Sequence, residues 1–293
     1  MTKPVVVGVD GSRPSLAAAD WGARTALRHG LPLRLVHAWE SVPGHDIAGS
    51  RPSDRVVPQY WARRVLRGAM EHVSERYPQL YISAEQVHRP PRQALLSEAE
   101  GAELLVIGNE GLGGIGGLFS GTVALSIVAH SPLPVVLVRA GFTASDEHER
   151  DEFGAASERT AYRDVVAAVE LGRPCDGLLS YAFDEAAGRG AALRAVHVQR
   201  LPLKAIPGDH VPDRSALEEL LRPWREKYPT VPVTAATVHA RAPHEIVHAS
   251  EGAGLLVVGR GPHHHPGLGA HPGAVTHAVI HHVACPVAFV PHA

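Results

Sequence analysis

Seven glycines, at positions 108, 111, 113, 114, 116, 117 and 121, fall within the fourteen residues GNEGLGGIGGLFSG. So much glycine costs chain entropy and adds nothing to packing. It does let a ligand approach bare main chain, with successive N–H groups turned toward an anion. The run lies between an apolar stretch, LLVI at 104–107, and an apolar-periodic segment opened by Thr122 and marked by Val123 and Ile127. A helix starting there directs its unpaired N–H groups and positive dipole end at the loop, which suits phosphate. A second candidate is Asp10, a carboxylate that directly follows VVVGV. At the carboxyl end of a central strand it stands where open parallel sheets bind ligands. A helix cap or a turn would explain it as well, and Thr122 can be a plain N-terminal helix residue.

Two familiar spacings nearly fit the loop. Gly111, Gly113 and Gly116 satisfy G-x-G-x-x-G, but the first glycine comes three residues after Gly108 and no acid-tipped strand follows at the dinucleotide-fold distance. Gly116 to Thr122 reads G-x-x-x-x-G-T, which lacks the lysine that a phosphate loop uses on the β and γ phosphates. Rapid phosphoryl transfer would therefore lack one of its usual charge stabilisers.

The elements that must position these groups alternate between strand and helix. VVVGV is a β-branched run that suits a strand covered on both faces. Leu16, Ala19, Ala23 and Leu27 follow at helical spacing, with Ser12 placed to cap and Gly30 to terminate. Next come a strand LRLVHAW, a loop over 41–58 dense in Pro, Gly and Ser, and a helical stripe of Trp61, Val65, Ala69 and Val73. YISAEQVH, QALLSEAE, LLVIG, TVALSIVAH and PVVLV complete a strand–helix alternation with five strands. That pattern predicts an α/β, doubly wound parallel sheet with its ligand site at the carboxyl edge.

The chain then repeats itself. EGAELLVIG at 100–108 returns as EGAGLLVVG at 251–259, and PLPVVLV at 132–138 as ACPVAFV at 284–290. VVVGVD at 5–10 is echoed by VVAAVE at 165–170, and RLVHAW at 34–39 by RAVHVQ at 194–199, both displaced by 160 residues. Four matches in the same order indicate a duplicated domain. The expected boundaries are 1–140 and 161–293, joined by an acidic, small-residue linker over 141–160 with too few large apolar side chains for a core.

Composition agrees with two ordinary cores. Of 293 residues, 45% are hydrophobic and 20% charged, with a net charge of −2 that gives no reason to expect nucleic acid. Cys175 and Cys285 stand apart, so neither a disulfide framework nor a thiolate zinc site can be built. No apolar run approaches a membrane span, and the expected location is cytoplasmic.

A third spacing fits the loop without strain. Gly108, Gly111, Gly121 and Thr122 form G-x2-G-x9-G-T. With VVVGVDGS, LVHAW and SPLPVVLV, this resembles the universal stress protein family, in its tandem two-domain form. The resemblance implies Rossmann-like domains of the adenine nucleotide alpha hydrolase type. It also implies bound ATP, with or without Mg2+, a regulatory role, and association through the last strand, here as an internal pseudo-dimer with homo-oligomers also open. It places Val9, Asp10, Gly11 and Ala38 at the adenine, Ile107 and Gly108 along the ribose, and Gly111, Gly121, Thr122 and Val123 at the phosphates.

The second half departs from this pattern. Its loop reads GRGPHHHPGLGAHPGAVT, with Pro262 for the second glycine, and the third either replaced by Pro272 or displaced to Gly273. Proline removes a donor and fixes φ. Ala274 replaces Thr122 and Glu170 replaces Asp10, so the second domain is expected to keep the fold and bind ATP weakly or not at all. Of 20 histidines, 14 lie beyond residue 141, including 263–265, 271 and the i,i+4 pair His277 and His281. Such a pair can share a metal, but it has no carboxylate or thiolate at ligand spacing. No metal site is assigned. His37 and His197 end corresponding strands and read as satisfied core histidines.

Three functions follow in order: a nucleotide-responsive regulator of stress or dormancy physiology; a slow ATPase or adenylyl-transfer enzyme; an interaction module with vestigial sites. Turnover separates the first two, and absence of binding leaves the third.

Overall fold

The β-branched runs do form strands. The computed structural model describes residues 2–40, 52–110, 121–199, 214–260, 264–265, 269–270 and 273–291, without side chains for 52–59, 121, 122, 264, 265, 269 and 270. It contains two compact units, Met1–Gly141 and Phe142–Ala293.

The first unit runs β1 (Val5–Gly8), α1 (Arg13–His29), β2 (Leu33–Trp39), α2 (Pro52–Arg76), β3 (Ile82–His88), α3 (Pro91–Ala99), β4 (Leu104–Asn109), α4 (Gly121–His130) and β5 (Val135–Arg139). Its strands lie in the order β3-β2-β1-β4-β5, and every adjacent pair is parallel. Val5 faces Leu33 on one side and Leu104 on the other. All four residues of β1 and all six of β4 are buried, as expected for central strands with helices on both faces. The order reverses between β1 and β4, because the chain leaves β1 toward β2 and leaves β4 toward β5. A crevice therefore opens at their carboxyl ends.

α1 begins and ends where its sequence signals stand. Ser12 is the N-cap and Gly30 the left-handed C-cap, at φ 63°. Ten α1 residues, including Ala17, Ala18, Trp21 and Ala26, are buried; of the stripe read from sequence, Ala19 and Ala23 are among them, whereas Leu16 and Leu27 are only partly buried. α2 departs in two ways. It starts at Pro52, so 52–58, expected as loop, is helical; the remainder of that expectation, 41–51, lies outside the described residues. Its buried stripe is Ala62, Leu66, Ala69 and Val73, whereas Trp61 is 54% exposed. The intervals of 4, 3 and 4 follow the helical period more closely than a strict repeat of four, which drifts off the face.

The second unit repeats the arrangement with β6 (Val165–Val169), α5 (Asp176–Arg189), β7 (Leu193–Gln199), α6 (Ser215–Lys227), β8 (Val233–His239), α7 (Ala242–Ala249), β9 (Leu255–Arg260), β10 (His264–His265), β11 (Gly269–Ala270), α8 (Ala274–His282) and β12 (Val287–Pro291). Its parallel strands follow the order β12-β9-β6-β7-β8; β10 and β11 form a separate two-residue antiparallel ladder.

The stretch read as a linker is folded. A 3-10 turn over Ala144–Glu147 is closed by Thr143 and Asp146, and His148 pairs with Tyr162 in an antiparallel bridge. Glu147 is 1% exposed, and Arg163 donates its main-chain N–H to the Glu147 carbonyl at 2.8 Å. Local hydrogen bonds order this segment where apolar side chains are few. Among the described residues no helix is long and apolar enough to cross a membrane.

Candidate functional site at the carboxyl ends of β1 and β4

Past β1 the chain is held by short polar contacts. Asp10 is half-buried, and its Oδ1 accepts from the Ser12 N–H at 3.0 Å and the Ser12 hydroxyl at 2.5 Å. Ser12 Oγ accepts from the Ser15 N–H at 3.3 Å, the cap of α1, and Asp10 N–H donates to Ser15 Oγ at 3.3 Å. Asp10 is therefore the turn residue that orients the cap, and its Oδ2 accepts no hydrogen bond among the described residues. Gly11 makes the turn at φ 82°, and a Cβ there would come within 3.3 Å of Val65 on α2. Only glycine adopts that conformation readily.

β2 presents main chain to the same crevice. Val9 N–H donates to the Val36 carbonyl at 2.8 Å, while Leu33 N–H donates to Tyr81 beside β3. Residues of one strand alternate between neighbours, so Ala38, like Val36, turns its N–H and carbonyl toward β1. There β1 has already ended. The Val9 carbonyl is taken by His37, whose Nδ1–H donates at 2.6 Å from a buried ring. That bond fixes the tautomer and leaves Nε2 unprotonated in the neutral imidazole. His37 thus pins two strand ends, as a satisfied core histidine does. His197 repeats the contact to Val169 at 2.9 Å.

Gly108 closes the crevice from β4. A Cβ at this position would lie 2.4 Å from the Pro14 carbonyl carbon and 2.6 Å from Ser15 N. The first turn of α1 rests directly on it. Val9 and Ile107 are fully buried, so only their main chain can reach a ligand. α4 starts at Gly121, and its first N–H groups have no partners within the helix. Val123 is partly buried on α4; the side chain of Thr122 and all of Gly111 lie outside the described residues, as do the other glycines of the loop between Gly108 and Gly121.

The universal stress protein family model matches residues 1–139 and again 161–291. The chain belongs to the universal stress protein family. The universal stress protein Rv2005c of Mycobacterium tuberculosis is 32% identical, over 98% of both chains. Rv2623 of the same organism is 28% identical, over 87% of this chain and 85% of the relative. A universal stress protein from Archaeoglobus fulgidus has a similar fold, with a TM-score of 0.70 at 14% identity, covering 99% of this chain and 96% of that one.

Within this universal stress protein the second unit has lost the polar turn. Ser12 and Ser15 are matched by Gly172 and Cys175, and α5 begins at Asp176 with no side-chain cap. Counted from the repeat, that is three residues later than α1. Glu170, in the place of Asp10, is tied to Arg173 at 3.2 Å. The equivalent Arg13 is exposed and has no ion pair among the described residues. Arg260 replaces Asn109, and burial lowers the affinity of its guanidinium for the proton. Gly273 takes the N-cap of α8, again without a side-chain bond.

Sequence reasoning missed Arg13, Ser15 and Asn109. The only signal for Arg13 was its position beside the cap; Asn109 is a 6% exposed polar residue next to Gly108. His277 and His281 are in ring contact at 4.5 Å, but among the described residues no three His, Cys, Asp or Glu side chains group to hold a metal.

Proposed function

We propose that the first unit binds ATP at the carboxyl ends of β1, β2 and β4, and that the protein is a cytoplasmic, nucleotide-responsive regulator of stress or dormancy physiology. The observation that carries this reading is the convergence, at the point where strand order reverses, of a half-buried carboxylate, open main chain and a helix start fed by a glycine run.

The donors and acceptors fit an adenine nucleotide. Asp10 Oδ2 can accept from a ribose hydroxyl or an exocyclic amine, and Ala38 offers both an N–H and a carbonyl to a base edge. The first-turn amides of α4 favour phosphate oxygens. Arg13 supplies a cation at the same edge.

The chemistry favours binding over turnover. Lys3 is the only lysine in the first unit, and it precedes β1, at the opposite end of the strand from the crevice. Phosphoryl transfer depends on charge placed against the leaving oxygens. The site supplies orientation and anion stabilisation, and hydrolysis should be slow. The second unit, with its carboxylate tied to Arg173 and its helix start displaced, is read as vacant of this activity.

Mass spectrometry of gently purified protein tests the reading. Co-purified adenine nucleotide, absent from an Asp10→Ala variant that remains folded, supports it. Saturating ATP that leaves the first unit unperturbed, or turnover at enzymatic rates, contradicts it.

A further inference from the structure

Two surface features have no part in the nucleotide site. Among the described residues four large apolar side chains are more than half exposed: Tyr60 at 59%, Trp61 at 54%, Tyr81 at 75% and Phe153 at 86%. Tyr60 and Trp61 are neighbours on α2, meeting edge to face at 6.1 Å. The Arg64 guanidinium lies 5.5 Å over the Trp61 ring. Arg63 and Arg67 are also exposed, and YWARRVLRGAM at 60–70 contains no acid. Those three arginines form no ion pair among the described residues. An exposed tryptophan beside arginines that pair with no acid among the described residues is an expensive surface to display to water alone.

Phe153 stands at the tip of a built turn. Asp151 Oδ1 accepts from the Phe153 N–H at 2.9 Å and the Ala155 N–H at 2.8 Å. Arg150 donates to the Gly154 carbonyl at 2.7 Å, and Gly154 has φ 77°. Below the tip, Glu149 N–H donates to Ala161 at 2.8 Å and the rings of His148 and Tyr162 lie 4.0 Å apart. The Phe153 ring is thus displayed by ordered backbone. Glu149, Glu152 and Glu158 are exposed around it, as are Arg150 and Arg159, which leaves the turn with a small acidic excess.

We propose that the aromatic and basic face of α2 docks the Phe153 turn of a second copy of this chain. The apolar tip packs on Tyr60 and Trp61 while the surrounding glutamates face Arg63, Arg64 and Arg67. Burying the phenyl ring supplies the apolar attraction, and the charges steer and orient the encounter. Each contact is much smaller than a standard interface of about 1,600 Å². The association is therefore weak, reversible and sensitive to salt. It is independent of the nucleotide reading.

Sedimentation velocity on the full chain over a range of concentrations, at low and high salt, tests the proposal. The wild type should dimerise reversibly and loosen as salt rises. Phe153→Ala and Trp61→Ala should each weaken dimerisation about tenfold or more, the effect of removing an aromatic anchor, with unchanged thermal melting. An equimolar mixture of the two variants should associate where each alone stays apart, because one supplies an intact α2 face and the other an intact turn. A wild type that is monomeric throughout overturns the proposal. So does a dimer that ignores both substitutions, or one that responds to Trp61→Ala alone, which would assign the α2 face to another partner.

Discussion

Gly108 and Pro14 are in direct contact: a Cβ on Gly108 would sit 2.4 Å from the Pro14 carbonyl carbon. The glycine that opens the G-x2-G-x9-G-T spacing therefore has a structural task apart from any ligand. It lets the first turn of α1 lie on the end of β4, which brings the Asp10 turn beside the start of the glycine loop.

Gly108→Ala should destabilise the protein by about 1–3 kcal/mol, the cost of overpacking against backbone that cannot give way. Urea unfolding of the full chain measures it. An unchanged midpoint would show that the α1 turn is not seated on β4.

Substitutions in the polar turn should separate stability from binding. Ser12→Ala removes a cap worth about 1 kcal/mol and should lower ATP affinity only modestly. Asp10→Ala should lower affinity at least about tenfold, since a lost hydrogen bond to a charged group is worth roughly 1.5–3 kcal/mol. Equal losses of affinity in the two variants would reduce Asp10 to a support for the cap.

Much of this was legible in the sequence. Ser12 and Gly30 marked both ends of α1 because capping is local chemistry. The five strands could be read because central parallel strands are uninterrupted apolar runs, and the duplication because it repeats in order. Trp61 belongs by spacing to the helical stripe of α2, but hydrophobicity alone does not separate a core residue from a surface anchor; Ala69 and Val73 of that stripe are buried, together with Ala62 and Leu66 in place of Trp61 and Val65. The 142–164 segment lacked apolar periodicity, so its order, which rests on side-chain-to-main-chain bonds, left no pattern to read. Asp10 shows the same limit: nothing in VVVGVDGS says that one carboxylate oxygen is committed to Ser12 while the other accepts no hydrogen bond among the described residues.

Cys175 gives a pH-dependent expectation. Burial, reinforced by the negative charge of Asp176, raises its thiol pKa above the ordinary value. Folding thus holds the proton more tightly than the unfolded chain does. Its contribution to stability is complete below the unfolded thiol's pKa and is lost as pH rises through the folded value. Native protein at mildly alkaline pH should be alkylated at Cys175 far more slowly than urea-unfolded protein, as peptide mass spectrometry would show. Equal rates would contradict the burial argument.

The central claim is that nucleotide binding belongs to the first unit and that the second has lost it. Calorimetric titration of the full chain with ATP tests this most directly. The account predicts one saturable site per chain, weakened at least about tenfold by Asp10→Ala and unaffected by Glu170→Ala. Two equivalent sites, or a single site that survives Asp10→Ala and disappears with Glu170→Ala, would contradict it.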